Sequence, residues 1–163
     1  VIKTGLGGEL QTSDYPLAEE RVEVVYRPTR VRSWHGQQSL MGAGVAVVRG
    51  FGLEMHLEVE IKPFYVNDYD QALRVLLAGR VKFVLGEQLL TGKILLKYLE
   101  DGHKLSRQLV YFRLNYVGFV RSERGGQLLK LYEERMAKLL SGGELHAIYR
   151  KWERKMPPMP TTP

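Results

Sequence analysis

An α/β fold built on a parallel sheet is predicted by three features of the stretch Leu40–Glu87. Val45–Val48 is a short continuous apolar run bounded by Gly42, Gly44 and Gly50, the pattern of a strand buried on both faces. Asp68 stands as N-cap before a helical period of Ala72, Leu73, Leu76 and Leu77, closed by Gly79. Val81–Leu85 is a further apolar run, and Glu87 falls just past its carboxyl end, where open α/β sheets bind ligands. Ile61–Val66 supplies the strand between them, so the stretch reads as one βαβαβ unit. Gly50 and Gly52 turn the chain from the first strand into a short helical segment through Glu54 and Leu57.

The residues before this unit give weaker signals. Val1–Leu6 has strand character, and Gly7 to Asp14 reads as a loop. Ser13–Leu17, SDYPL, is followed by a strand over Val22–Arg27. Pro28–Gln38 is polar and aperiodic, a surface connection in which Trp34 is the one large apolar residue, read as a packing residue more readily than as a ligand-stacking one. After Glu87, residues Gln88–Leu99 form a helical pattern with Leu89, Ile94, Leu95 and Tyr98 on its inner face, ended by Asp101-Gly102. Leu109–Leu114 and Tyr116–Arg121 read as two strands, broken afterwards by Gly125 and Gly126. Two amphipathic helices follow, one carrying Leu128, Leu131, Met136 and Leu139, the other Leu145, Ile148 and Trp152. The tail MPPMPTTP is proline-broken and read as disordered.

These segments carry a family resemblance. LMGAGVAVVRGFG resembles the "LkGkkVgVvrGt" opening of the second lobe of periplasmic solute-binding proteins of the polar amino-acid ABC-transporter type, known as extracellular solute-binding protein family 3. ALRVLLAGRVKFVLGE resembles that family's "al.aLlaGRvDavlgD", at the right distance downstream. YVGFVRSERG resembles "y.iafrKg", SGGELHAIYRKW resembles "l..dGt...i..KW", and SDYPL resembles "fS.PY". The resemblance implies the type II periplasmic-binding-protein-like fold, with lobe 2 complete and lobe 1 mostly missing. It implies residues 1–38 as the end of lobe 1 and the hinge connection, 39–115 as lobe 2, 116–155 as the return strand and C-terminal helices packing on lobe 1, and 156–163 as the disordered tail. By the same resemblance the protein is a periplasmic, extracytoplasmic binding protein, its signal peptide upstream of this stretch, delivering an amino acid or similar small amine-bearing solute to an ABC-transporter permease by hinge closure.

The resemblance also nominates a site. Gly50, Phe51, Gly52 and Leu53 occupy the loop where the family offers backbone N–H groups and a small hydroxyl residue to the ligand carboxylate, with Gly52 at the hydroxyl position. The alternative is that both glycines serve only a tight strand-to-helix turn. Glu87 matches the acid that accepts from the ligand's amino group, and it is equally placed to cap the helix that begins at Gln88. Tyr15, in the SDYPL segment, joins the ligand-binding set. No arginine precedes Arg21, whereas the family holds the carboxylate with one in a "tp.R" element. That leaves open a shortened loop, a missing piece of chain, or a ligand without a carboxylate. Lys82 replaces the acid of "GRvD" and reads as an edge or surface residue.

Composition bounds the alternatives. At 163 residues and 44% hydrophobic content the chain can fill a core, and it contains no cysteine, which excludes disulfides and thiolate chemistry. No apolar run approaches the roughly 20 residues of a membrane span. The net charge of +6 raises nucleic acid as a partner. Arg27, Arg30 and Arg32 cluster, but no recognition helix or zinc-finger spacing accompanies them, so the charge reads as a solvated basic surface and no nucleic-acid partner is expected. His35, His56, His103 and His146 lack metal-ligand spacing, and neither a metal nor a cofactor is expected. No nucleophile elbow, HExxH or P-loop occurs, and the Gly50–Gly52 motif lacks the third glycine of a dinucleotide fingerprint. The chain is therefore read as a binding protein without catalysis. Two alternatives share the fold, a ligand-sensing input domain of a signalling protein and a cyclohexadienyl dehydratase-like enzyme.

Overall fold

A computed structural model describes residues 8–100 and 104–160. The expected strand over Val1–Leu6, the Asp101-Gly102 helix stop and His103 lie outside the described residues. Among the described residues, five strands and four α-helices run in the order β1 (Leu10–Tyr26), β2 (Gly44–Val48), β3 (Lys62–Val66), α1 (Tyr69–Leu77), β4 (Phe83–Glu87), α2 (Gln88–Glu100), β5 (Ser106–Val120), α3 (Glu123–Ser141) and α4 (Glu144–Lys151). The strands form one mixed sheet in the order β3-β2-β4-β1-β5, with β2 parallel to both β3 and β4, and β1 antiparallel to β4.

The chain divides into two compact units, one of residues 21–112 and one of the flanking segments 1–20 and 113–163. In the first, alternation along the central strands sends side chains to opposite faces. Val45, Val47, Phe83, Leu85, Val22, Val24 and Tyr26 build one apolar cluster with Leu40 and Leu53. Ala46, Val48, Val84 and Val25 build the other, against Ala72, Leu73 and Leu76 of α1 and Leu95 and Tyr98 of α2. Trp34 packs into the first cluster, its ring 6.3 Å from that of Tyr26 and 6.1 Å from that of Phe83.

Local chemistry sets α1 at both ends. Asp68 Oδ1 accepts the Gln71 N–H at 2.7 Å, and Gln71 Oε1 in turn accepts the Asn67 N–H at 2.9 Å, a near-reciprocal capping arrangement. At the other end Gly79, at φ +75°, completes a Schellman ending in which Arg80 N–H reaches Val75 O at 3.0 Å and Gly79 N–H reaches Leu76 O at 3.0 Å.

Several expectations need correction. Residues Leu10 to Asp14 belong to the 17-residue strand β1 and not to a loop, because cross-strand pairing outweighs the weak local signal of a polar sequence. β5 runs unbroken through the gap expected at Asn115. β4 begins at Phe83, two residues later than expected, and Glu87 is its last residue. Lys82 is exposed just before that strand, as expected of a surface residue. Leu89 is 51% exposed. The inner face of α2 runs through Thr91, Leu95 and Tyr98, and Leu89 lies about 200° of helical rotation from Thr91.

Gly125 and Gly126 do not break the chain. They lie in the first turn of α3, where Ser122 Oγ caps the Gly125 N–H at 3.1 Å. A Cβ on Gly125 would stand 1.8 Å from Val120 O, so this glycine answers a close backbone approach. In the same unit Met136 and Leu145 are buried, whereas Leu128, Leu131, Ile148 and Trp152 are exposed. There Glu20 pairs with Arg113, Phe119 lies 5.7 Å from Tyr132, and Tyr149 donates to Leu17 O. Residues Met156 to Pro160 form neither helix nor strand.

Candidate functional site

At the carboxyl ends of β2 and β4 the turn after β2, the start of α1 and the junction of β4 with α2 come together in the first unit. β2 ends at Val48, and the chain turns through Gly50 at φ +85° and Gly52 at φ +60° into a 3-10 turn over Leu53–His56. Positive φ at both positions accounts for the two glycines by backbone geometry. The side chain of Leu53 is fully buried in the core and its carbonyl accepts from Tyr111 Oη at 2.7 Å, so only its main chain is available to a ligand. Phe51 and Met55 remain exposed on this turn, at 41% and 80%. The Met55 Sδ lies 3.5 Å from where a Cβ on Gly52 would stand, so the thioether covers the glycine. Glu54 Oε1 accepts from Tyr65 Oη at 3.2 Å, and Oε2 is buried without a hydrogen-bond partner among the described residues. The Glu54 charge raises the Tyr65 pKa above its usual value, with Arg49 opposing.

At the end of β4, Glu87 is half-buried, and its N–H donates to Tyr69 Oη at 3.2 Å. The Tyr69 ring, 5% exposed, lies 5.9 Å from that of Phe51 at 55°. Tyr69 therefore joins Phe51 to the end of β4. Gly86 makes this possible, since a Cβ there would meet Thr91 Cγ2 at 2.2 Å and Tyr69 Cε1 at 2.6 Å.

Beneath Glu87 lies a buried polar network. Glu23, 2% exposed on the otherwise apolar β1, receives Arg107 Nε and Nη2 on its two carboxylate oxygens at 2.8 Å each. Thr91 Oγ1 lies 2.5 Å from Glu23 Oε1 and 3.0 Å from Glu87 O. The hydroxyl has one proton, and the carboxylate is the stronger acceptor, so Thr91 is held by Glu23 while its oxygen rests against the last turn of the strand. The first turn of α2, and with it the main chain at Glu87, is thereby tied to β1 and β5.

Of the nominated residues, Gly50, Phe51, Gly52 and Glu87 are brought into this region, and Tyr15 belongs to the other unit, where its N–H donates to Ser13 Oγ at 2.9 Å. Tyr69, Gly86, Thr91, Glu23 and Arg107 were not foreseen. For Tyr69 a signal existed, because it precedes Ala72 by three and Leu76 by seven and so shares their helix face.

A second depression, about 430 Å³, is lined by Arg30, Gly44, Gly79, Arg80, Val81 and Lys82 at the opposite end of β2 and β4. Its chemistry is accounted for by the end of α1: Arg27 donates to Leu77 O at 3.2 Å and Arg30 to Gly79 O at 3.4 Å, cations placed on a helix C-terminus. Among the described residues no group of three His, Asp or Glu side chains is placed to hold a metal, and no helix is long and apolar enough to cross a membrane.

No protein-family model matches the chain, and no curated protein does. Solved structures do. A mutant of the arginine-binding protein ArgBP from T. maritima superposes with a TM-score of 0.66 at 17% identity, over 93% of this chain and 65% of that one. The GluR0 ligand-binding core in complex with L-glutamate matches at 0.65 and 15% identity, over 90% and 65%, and an ancestral arginine-binding protein bound to arginine at 0.63 and 19%, over 88% and 64%. The chain thus spans about 65% of the length of these structures. At such identities the likeness speaks for the fold alone. The sheet order and these superpositions together show that this chain carries part of the type II periplasmic-binding-protein fold.

Proposed function

We propose that the protein is an extracytoplasmic solute-binding protein that takes an amino acid or a similar small amine-bearing solute and delivers it to an ABC importer, without chemistry of its own. The observation that carries this reading is Glu87, a half-buried carboxylate at the carboxyl end of β4, beside the β2 turn of Gly50, Phe51 and Gly52. A carboxylate there suits an ammonium group, and the carboxyl ends of open α/β sheets are the usual ligand position. Arginine and glutamine are ligands of the ancestral arginine-binding protein, and L-glutamate of the GluR0 core, all of them carrying an amine. Lobe closure in a periplasm and a permease partner belong to the same proposal. A second reading, a ligand-sensing input domain, is compatible with the same fold, which the GluR0 ligand-binding core shares; co-purification of a permease or of a signalling protein separates the two.

The test is calorimetry with the full protein after thermal-shift screening of amino acids and amines. Glu87→Gln keeps shape and removes charge, and the loss of a charge-assisted hydrogen bond should weaken an amine ligand by roughly 10- to 150-fold while unfolding stability changes little. Unchanged affinity for every amine ligand overturns the assignment of Glu87.

A further inference from the structure

We infer that Phe51 and Met55 form an apolar lip that selects, among amine-bearing solutes, those whose ammonium is carried on an apolar or aromatic body. The inference rests on the ligand-binding reading above and adds to it the class of ligand. Single exposed apolar side chains need no explanation. Here two large ones stand four residues apart on one turn at the carboxyl end of the sheet, with only Gly52 and two other residues between them. Neither is loose decoration of a mobile loop: Phe51 is set against the buried Tyr69 ring, and Met55 lies over Gly52 while its N–H donates to Gly52 O at 3.3 Å. The 55° tilt to Tyr69 engages part of the Phe51 ring and leaves 41% of the residue open.

Two features assign the polarity of what fits there. Tyr69 is buried and its hydroxyl accepts the Glu87 N–H, so the surface offered here is the exposed part of the Phe51 ring in place of a polar group. The turn and the strand end carry the carboxylates of Glu54 and Glu87, which favour a cation. An ammonium near Glu87 brings the adjacent carbon skeleton onto Phe51, where apolar burial and cation–π attraction act together, and the unbranched thioether of Met55 adapts to differing shapes.

Calorimetry on the full protein with two matched pairs tests this: phenethylamine against ethanolamine, and L-phenylalanine against L-serine, so that a need for a carboxylate cannot mask the preference. The wild type should favour the aromatic member in at least one pair by about 10-fold or more. Phe51→Ala should cut that preference by about 3- to 30-fold. Phe51→Leu, which keeps apolar cover over Tyr69, should lie between, and circular dichroism of both variants shows that the fold persists. A wild type that favours ethanolamine and L-serine, or a preference untouched by Phe51→Ala, overturns the lip; if amine binding still depends on Glu87, the binding reading stands. If none of the four amines binds, the lip is overturned, and the reading beneath it falls only if the thermal-shift screen of amino acids and amines also finds no ligand.

Discussion

Removing Arg107 should expose how far the first unit depends on one buried ion pair. The Glu23 side chain is 3% exposed and its two oxygens are both engaged by Arg107 at 2.8 Å, whereas the Arg107 side chain is 35% exposed. Breaking a fully sealed pair by deleting one partner costs about 3–5 kcal/mol, because the remaining charge is left buried. Water can reach the space that a third-exposed arginine vacates, so we expect Arg107→Met to cost about 2–4 kcal/mol. With m near 2–3 kcal/mol/M in urea, the midpoint should fall by roughly 0.7–2 M. The double variant Glu23→Met/Arg107→Met removes both charges and should recover most of that loss, since an apolar replacement of a buried pair is often neutral. The chain holds two tryptophans, and Trp34, half-buried, packs against the core of this unit. On a Trp152→Phe background, Trp34 fluorescence reports this unit alone. A midpoint shift under about 0.3 M for Arg107→Met, or a double variant as unstable as the single, would refute the reasoning.

Three further outcomes follow from particular contacts. Gly86→Ala places a Cβ 2.2 Å from Thr91 Cγ2, an overpacking expected to cost about 1–3 kcal/mol; adding Thr91→Ser, which deletes that methyl and keeps the hydroxyl, should return part of the stability in urea melts, and no recovery would speak against the contact. The Tyr98 hydroxyl, donating to Asp70 Oδ1 at 2.8 Å, holds that carboxyl below its ordinary value of 3.8, with Arg74 and Lys97 assisting and burial opposing. A depressed folded pKa contributes stability above the unfolded value that is lost as pH falls through the folded one, so Tyr98→Phe should cost about 1 kcal/mol at pH 7 and less at pH 2.5; equal losses at both would contradict this. In α3, Gly125→Ala meets Val120 O and should lower the melting temperature, whereas Gly126→Ala meets nothing nearer than Gln11 Nε2 at 3.8 Å and should stabilise by about 0.5–1 kcal/mol; effects of the same sign would dismiss the close approach as the reason for Gly125.

Elements whose causes are local could be read from the residues alone. β2 and β4 are continuous apolar runs that suit strands buried on both faces, and α1 carries its own start in Asp68 and its own stop in Gly79. The order of these elements was enough to foresee a parallel α/β core and to put Glu87 at the carboxyl end of a strand. Features that depend on partners far away in the chain emerged with the packing of the elements. β1 and β5 owe their lengths to ladder pairing, so neither the polar start of β1 nor Asn115 in β5 interrupts them. Glu23 lies in a strand of valines with nothing local to explain it; Arg107, 84 residues away, supplies the charge that lets it be buried. The surroundings of Glu87 likewise came from Tyr69 and Thr91 converging on a glycine, a close approach that no spacing along the chain expresses. Periodicity reports which face of an element is apolar, whereas the pairing of a buried charge and the room left by a missing Cβ exist only once the elements are packed.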